Sequence, residues 1–112
     1  MRVVKGKVLD VAVDIRPGSK TYGKHFSIIL SEENKKQFWV PPGFAHGFVV
    51  LSDTADFEYK CTDFYDASDE GSILWSSVPS IIGIITSEII KSGINLTVIL
   101  RPSLPLIANL TL

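Results

Sequence analysis

Apolar and polar positions alternate over the first half of the chain. Val8, Asp10, Ala12 and Asp14 interleave with Leu9, Val11 and Val13, the period of two that predicts a β-strand. Arg16-Pro17-Gly18-Ser19 interrupts it with turn chemistry. Phe26 to Leu30 forms a second apolar run, closed by Ser31-Glu32-Glu33-Asn34. Gln37-Phe38-Trp39-Val40 follows, then the turn Pro41-Pro42-Gly43 and a strand through Phe48-Val49-Val50-Leu51. Ser52-Asp53-Thr54 turns the chain again, and Ala55 to Tyr65 reads as one long aromatic-rich strand. Farther on, Ile94, Leu96, Val98 and Leu100 alternate with smaller or polar residues and predict a further strand, while Ser87 to Lys91 suits a short helix. Strands and turns recurring at this spacing predict an all-β sandwich or barrel with little helix.

Composition adds a boundary to this pattern. Residues 1–75 hold 20 of the 23 charged residues and all 11 aromatics. Residues 76–112 hold three charges, Glu88, Lys91 and Arg101, and 17 Ile, Leu or Val residues. The second segment is too short to build its own core. It therefore packs on the 1–75 core, joins another chain, or stays partly unfolded. At 112 residues the whole is one domain's worth of chain. A net charge of −1 argues against a broad nucleic-acid footprint. The single cysteine, Cys61, excludes an internal disulfide and a cysteine-cluster metal site. No signal peptide or membrane span is legible, so the expectation is a soluble, cytoplasmic domain.

Few residues carry candidate chemistry. Pro41-Pro42-Gly43-Phe44-Ala45-His46 is a tight turn feeding a strand, with His46 delivered at the mouth of the sheet. It either serves a ligand or merely satisfies backbone groups near the turn. His25 has no ligand spacing to His46 or to an obvious carboxylate, so no metal site is expected. On a continuous strand, Phe57, Tyr59 and Cys61 share one face and Glu58, Lys60 and Thr62 the other. Tyr59 is then a core residue with a satisfied hydroxyl, or a proton donor if that hydroxyl meets a cavity. Lys60 should face away from it. The acidic loop Asp66-Ala67-Ser68-Asp69, flanked by Tyr65 and Glu70, lacks the spacing of a calcium loop. Asn95-Leu96-Thr97 and Asn109-Leu110-Thr111 match the glycosylation triplet but mean little without a secretion signal.

Three stretches, RVVKGKVLDVAVDIRPGSKTYGKH, LSEENKKQFWVPPGFAHGFVVLSDTADFEYKCTDFYD and EGSILW, closely resemble the dTDP-4-dehydrorhamnose 3,5-epimerases over residues 2–75. That resemblance implies a cupin-type jelly roll and a homodimer. It also implies C3 and C5 epimerisation of a dTDP-4-keto-6-deoxy sugar in dTDP-rhamnose synthesis, without cofactor or metal. In such a reaction a base removes a proton beside the 4-keto group and a tyrosine on the other face returns one. Carried over by residue, Tyr59 is the proton donor and His46 a substrate-binding residue near the diphosphate. Tyr65 stacks on the thymine ring and Glu70 contacts the substrate.

The resemblance starts at Arg2, inside the family pattern, and fades after Trp75. The catalytic histidine of the family and its acidic partner match no position here. Two expectations follow: an epimerase that obtains its base elsewhere, or an inactive relative that retains at most nucleotide-sugar binding. A sugar-binding cupin with a role of its own is a third.

Overall fold

The computed structural model describes residues 1–62, 64, 68, 71–74, 95–100 and 110–111. The described segments form eight strands: β1 (Arg2–Lys5), β2 (Lys7–Asp14), β3 (His25–Ser31), β4 (Phe44–Val50), β5 (Asp56–Glu58), β6 (Gly71–Leu74), β7 (Asn95–Leu100) and β8 (Leu110–Thr111). No α-helix occurs among the described residues, in keeping with the alternating pattern. The expected helix at 87–91 lies outside them.

The strands make two sheets. Among the described residues β1 pairs with β5, with Gln37 bridging to Arg2, and the larger sheet runs β3-β2-β4-β7-β6, with β8 attached to β7. β2 lies between β3 and β4, antiparallel to both, with Val8 opposite Leu30 on one side and Val50 on the other. Both faces of β2 are covered. On the inner face, Val8 and Leu30 pack against Val3, with Ile28, Phe38, Phe48, Val50, Ala55 and Phe57 around them. Val3 and Phe57 come from the small sheet, so this cluster is what joins the two sheets. Leu9, Val11 and Val13 point the other way and are equally buried. A strand buried on both faces reads as a nearly continuous apolar run, which is why Asp10 and Asp14 stand out within it. Among the late strands, β7 contributes its backbone to the large sheet, bridging to β4 at His46 and pairing along β6.

Two strand expectations change. The strand leading to Leu51 begins earlier, at Phe44, so His46 sits inside β4 and not at its mouth. The strand expected over Ala55–Tyr65 stops at Glu58. Its partner β1 brings Arg2 opposite Glu58, and Met1 then turns to Phe38, exchanging backbone hydrogen bonds of 2.8 and 2.9 Å with it. With no ladder partner beyond Glu58 among the described residues, the apolar alternation of Phe57, Tyr59 and Cys61 is not enough to continue the strand.

Gly6 makes the corner at which the chain leaves the small sheet for the large one. Its φ is +80°, and a β-carbon there would meet the Thr54 carbonyl oxygen and the Ser52 hydroxyl. Ser52 Oγ accepts from the Lys7 amide and donates to the Thr54 carbonyl, so that neighbour is itself pinned. Gly6→Ala should lower unfolding stability by about 1–3 kcal/mol from backbone strain and crowding together. Gly18, at φ +78° with open space around it, is the control: Gly18→Ala should cost less, with both variants read by urea titration.

Candidate functional site

The candidate site has a buried floor and an open cleft, and both depend on sheet register. Antiparallel pairing sets Ala12 opposite His46 and Asp10 opposite Phe48, which makes Asp10 and His46 diagonal neighbours on the inner face. Their side chains meet at 2.6 Å between His46 Nε2 and Asp10 Oδ1, with both residues at 1% exposure or less. A carboxylate oxygen accepts, so Nε2 carries the proton. Asp10 Oδ2 is also buried and has no partner among the described residues.

Beside this pair is a cluster of rings, with His46 6.4 Å from Phe48 between centroids. His46 lies parallel to Phe57, with centroids 6.4 Å apart and planes 18° apart, and Phe57 stacks on Phe48 at 4.5 Å. Phe57 in turn touches Tyr59 at 6.3 Å. Tyr59 is 44% exposed and lines a cleft of about 590 Å³. The cleft lies among Met1 and Arg2, Gln37 and Trp39, and the segment Glu58 to Lys60. Arg2 Nε donates to Glu58 Oε2 at 2.8 Å. The Trp39 indole is 67% exposed. This volume is in the range that holds small organic ligands. Chemically the cleft offers one phenol, one open indole and cationic groups. Among the described residues no cluster of His, Cys, Asp or Glu is arranged to hold a metal ion.

The turn that feeds β4 is clamped from below. Gly43 has φ +84°, and a β-carbon there would fall 2.6 Å from Cγ of Arg16. The Arg16 guanidinium lies 4.8 Å over the Phe44 ring and donates to both oxygens of Asp14. Ser19 and Thr21 hydroxyls and the Arg16 amide complete the carboxylate's shell. The Arg16 side chain first, with the two hydroxyls, holds the Asp14 carboxyl far below the usual carboxylate range.

Comparison with known proteins decides what this arrangement belongs to. The family model for dTDP-4-dehydrorhamnose 3,5-epimerase matches residues 1–92. The chain belongs to that family. The dTDP-4-dehydrorhamnose 3,5-epimerase of Salmonella typhimurium is 57% identical over 76 residues, 68% of this chain and 42% of its own length. The Escherichia coli relative is 51% identical over 68% of this chain and 41% of its own. The crystal structure of dTDP-6-deoxy-D-glucose-3,5-epimerase from Legionella pneumophila, in complex with dTDP-4-keto-L-rhamnose, superposes with a TM-score of 0.59. It is 63% identical and covers 60% of this chain and 36% of that one. This chain thus spans about two-fifths of the length of these curated relatives, and its fold is the cupin-type sandwich of the epimerase family.

The four residues that the resemblance singles out are only partly brought together among the described residues. Tyr59 reaches the cleft. His46 does not line it and lies enclosed beneath Phe57. Tyr65 and Glu70 lie outside the described residues. Lys60, expected on the face opposite Tyr59, lines the same cleft, because strand alternation ends at Glu58. Asp10 is the residue that sequence reasoning missed. The signal was a carboxylate inside an apolar strand, and its meaning needed the β2–β4 register.

The Asp14 clamp makes a pH prediction. Its carboxyl titrates lower folded than unfolded, so the unfolded chain binds more protons in acid and stability rises with pH. Glu33, lowered by its own amide and the Ser31 hydroxyl, adds the same sign. The contribution of these two carboxyls to unfolding free energy should be complete above about pH 5 and be lost progressively through the range below about pH 4. Asp14→Asn should be less stable at neutral pH and show a shallower acid limb, read by denaturant melts across pH.

Proposed function

We propose that this chain carries the proton-return side of a nucleotide-sugar 3,5-epimerase, acting on a dTDP-4-keto-6-deoxy-hexose in dTDP-rhamnose synthesis. The observation that carries this reading is Tyr59, a phenol standing at an open cleft on a core that matches the epimerase family. A carbon acid beside a ketone gives up its proton to a base and becomes an enolate. The Tyr59 hydroxyl then protonates that carbon from the other face, and the phenolate recovers its proton from water. The net change is inversion at carbon, with no redox step and no cofactor consumed. His46 enters from below: held by Asp10, its ring supports Phe57 and through it Tyr59. Tyr65 and Glu70 complete the substrate contacts in this reading, the first against thymine. The working form is a homodimer in the cytoplasm.

A second reading is binding of the nucleotide sugar without turnover. It is favoured by the positions of the two histidines, His46 sealed against Asp10 and His25 paired with Val13 at the start of β3. Solvent hydrogen exchange separates the readings. In deuterium oxide the chain should introduce deuterium at C3 or C5 of dTDP-4-keto-6-deoxyglucose, and Tyr59→Phe should slow epimerised product by about 10²–10⁴-fold. Exchange no faster than without protein, with nucleotide binding retained, would establish the second reading instead.

A further inference from the structure

We propose that the free edge of β3 is the surface on which two copies of this chain join, strand against antiparallel strand, about a two-fold axis at Ser27. This pairing does not depend on the epimerase reading, and it gives the proposed homodimer its surface. β3 closes one side of the larger sheet: β2 takes one of its edges, and the other has no strand partner among the described residues. The backbone bonds show which groups face outward. The Lys24 carbonyl accepts from the Asp14 amide on the β2 side. The Ile29 carbonyl instead accepts from the Asn34 side chain at 2.8 Å, and the Ser31 amide donates to it. Alternation therefore turns the amides and carbonyls of His25, Ser27 and Ile29 away from β2. Asn34 closes the edge at its Ser31 end and leaves an open run from His25 to Ile29.

The make-up of that run separates a docking edge from a solvated one. Edges that stay in water are guarded by lysine, proline or a bulge. His25-Phe26-Ser27-Ile28-Ile29 holds no Lys, Arg, Asp, Glu or Pro, and its register with β2 is unbroken. Phe26 is 59% and Ile29 45% exposed, one on each face of the sheet. Self-complementarity makes a second copy the occupant. With Ser27 opposite its own copy, the two Ser27 residues exchange amide–carbonyl bonds, and each His25 exchanges them with Ile29 of the second copy. The Ile29 carbonyl has a second lone pair for this. On the inner face each Phe26 then lies opposite Ile28 of the other copy, and on the outer face each Ile29 lies opposite a His25. Moving the axis to Ile28 would set His25 against Ser31, whose amide and carbonyl are already used. Charge agrees with the Ser27 axis. Lys24 makes no ion pair among the described residues and comes diagonal to Glu32 of the second copy, within reach of its long side chain.

Sedimentation of the full chain at micromolar concentration tests this edge, and the parent should run as a dimer. Ser27→Pro removes an outward amide that the larger sheet does not use, a place where an edge strand tolerates proline. It should weaken the dimer about 10–100-fold, for the two bonds lost across the axis, with circular dichroism unchanged. Cross-linking gives a second reading that does not need the proline variant to fold. Cys61 is exposed, so the background is Cys61→Ser. In it, Ser27→Cys should oxidise to a covalent dimer, because residues opposite each other in a bonded pair have α-carbons about 5.5 Å apart. Ile29→Cys, facing His25, should not. A monomeric parent overturns the pairing. So does a dimer indifferent to Ser27→Pro, or one that cross-links through Ile29→Cys and not Ser27→Cys, since either belongs to another surface. Deuterium incorporation is read on its own, so the β3 edge and the epimerase reading fail separately.

Discussion

A carboxylate and an imidazole share the core of this domain, and their single bond governs what lies above it. Asp10 and His46 are as well buried as Val8 or Val49. Placing such groups out of water costs several kcal/mol unless each finds a partner, so the pair holds only with β2 and β4 in their present register. Slipping β4 by one residue would turn His46 to the other face and leave Asp10 with no partner at all. The bond is therefore a register lock as much as a chemical feature. It also fixes the plane of the His46 ring, on which Phe57 lies.

From that plane the chain of consequence runs outward. Phe57 packs its ring against both His46 and Phe48, and its backbone belongs to the β1–β5 ladder. The ladder ends at Arg2 and Glu58, whose ion pair closes the outer face. Such an exposed pair contributes only about 0–1 kcal/mol to stability, so its value is in where it leaves the next two residues. Tyr59 and Lys60 then emerge into one cleft. Tyr59 keeps its access to the cleft while the ring of Phe57 packs behind it.

Much of the scaffold was legible in the chain. β2, β3 and β4 follow from alternation bounded by Pro, Gly and Asn, and β7 from the spacing of Ile94 to Leu100. The depth of His46 was not legible, because both faces of β2 and β4 are apolar and parity alone does not say which face holds the cleft. Asp10 is 36 residues away and reaches His46 only through strand pairing. The extent of β5 was overread for a related reason. Phe57, Tyr59 and Cys61 have the local preference for a strand, but a ladder also requires a partner, and Met1 pairs with Phe38 instead. The family resemblance singled out Tyr59, which lines the cleft, whereas its neighbour Lys60 comes to the same cleft only because the strand ends at Glu58.

The buried bond is tested most directly by nitrogen-15 and proton spectroscopy of the His46 ring, in the full chain and in Asp10→Asn. At neutral pH, Nε2 should carry a proton that exchanges slowly with water, and that resonance should shift or vanish in the variant as the Tyr59 ring signals move with it. A rapidly exchanging Nε2 proton, or a Tyr59 environment indifferent to Asp10, would contradict a core lock that reaches the cleft.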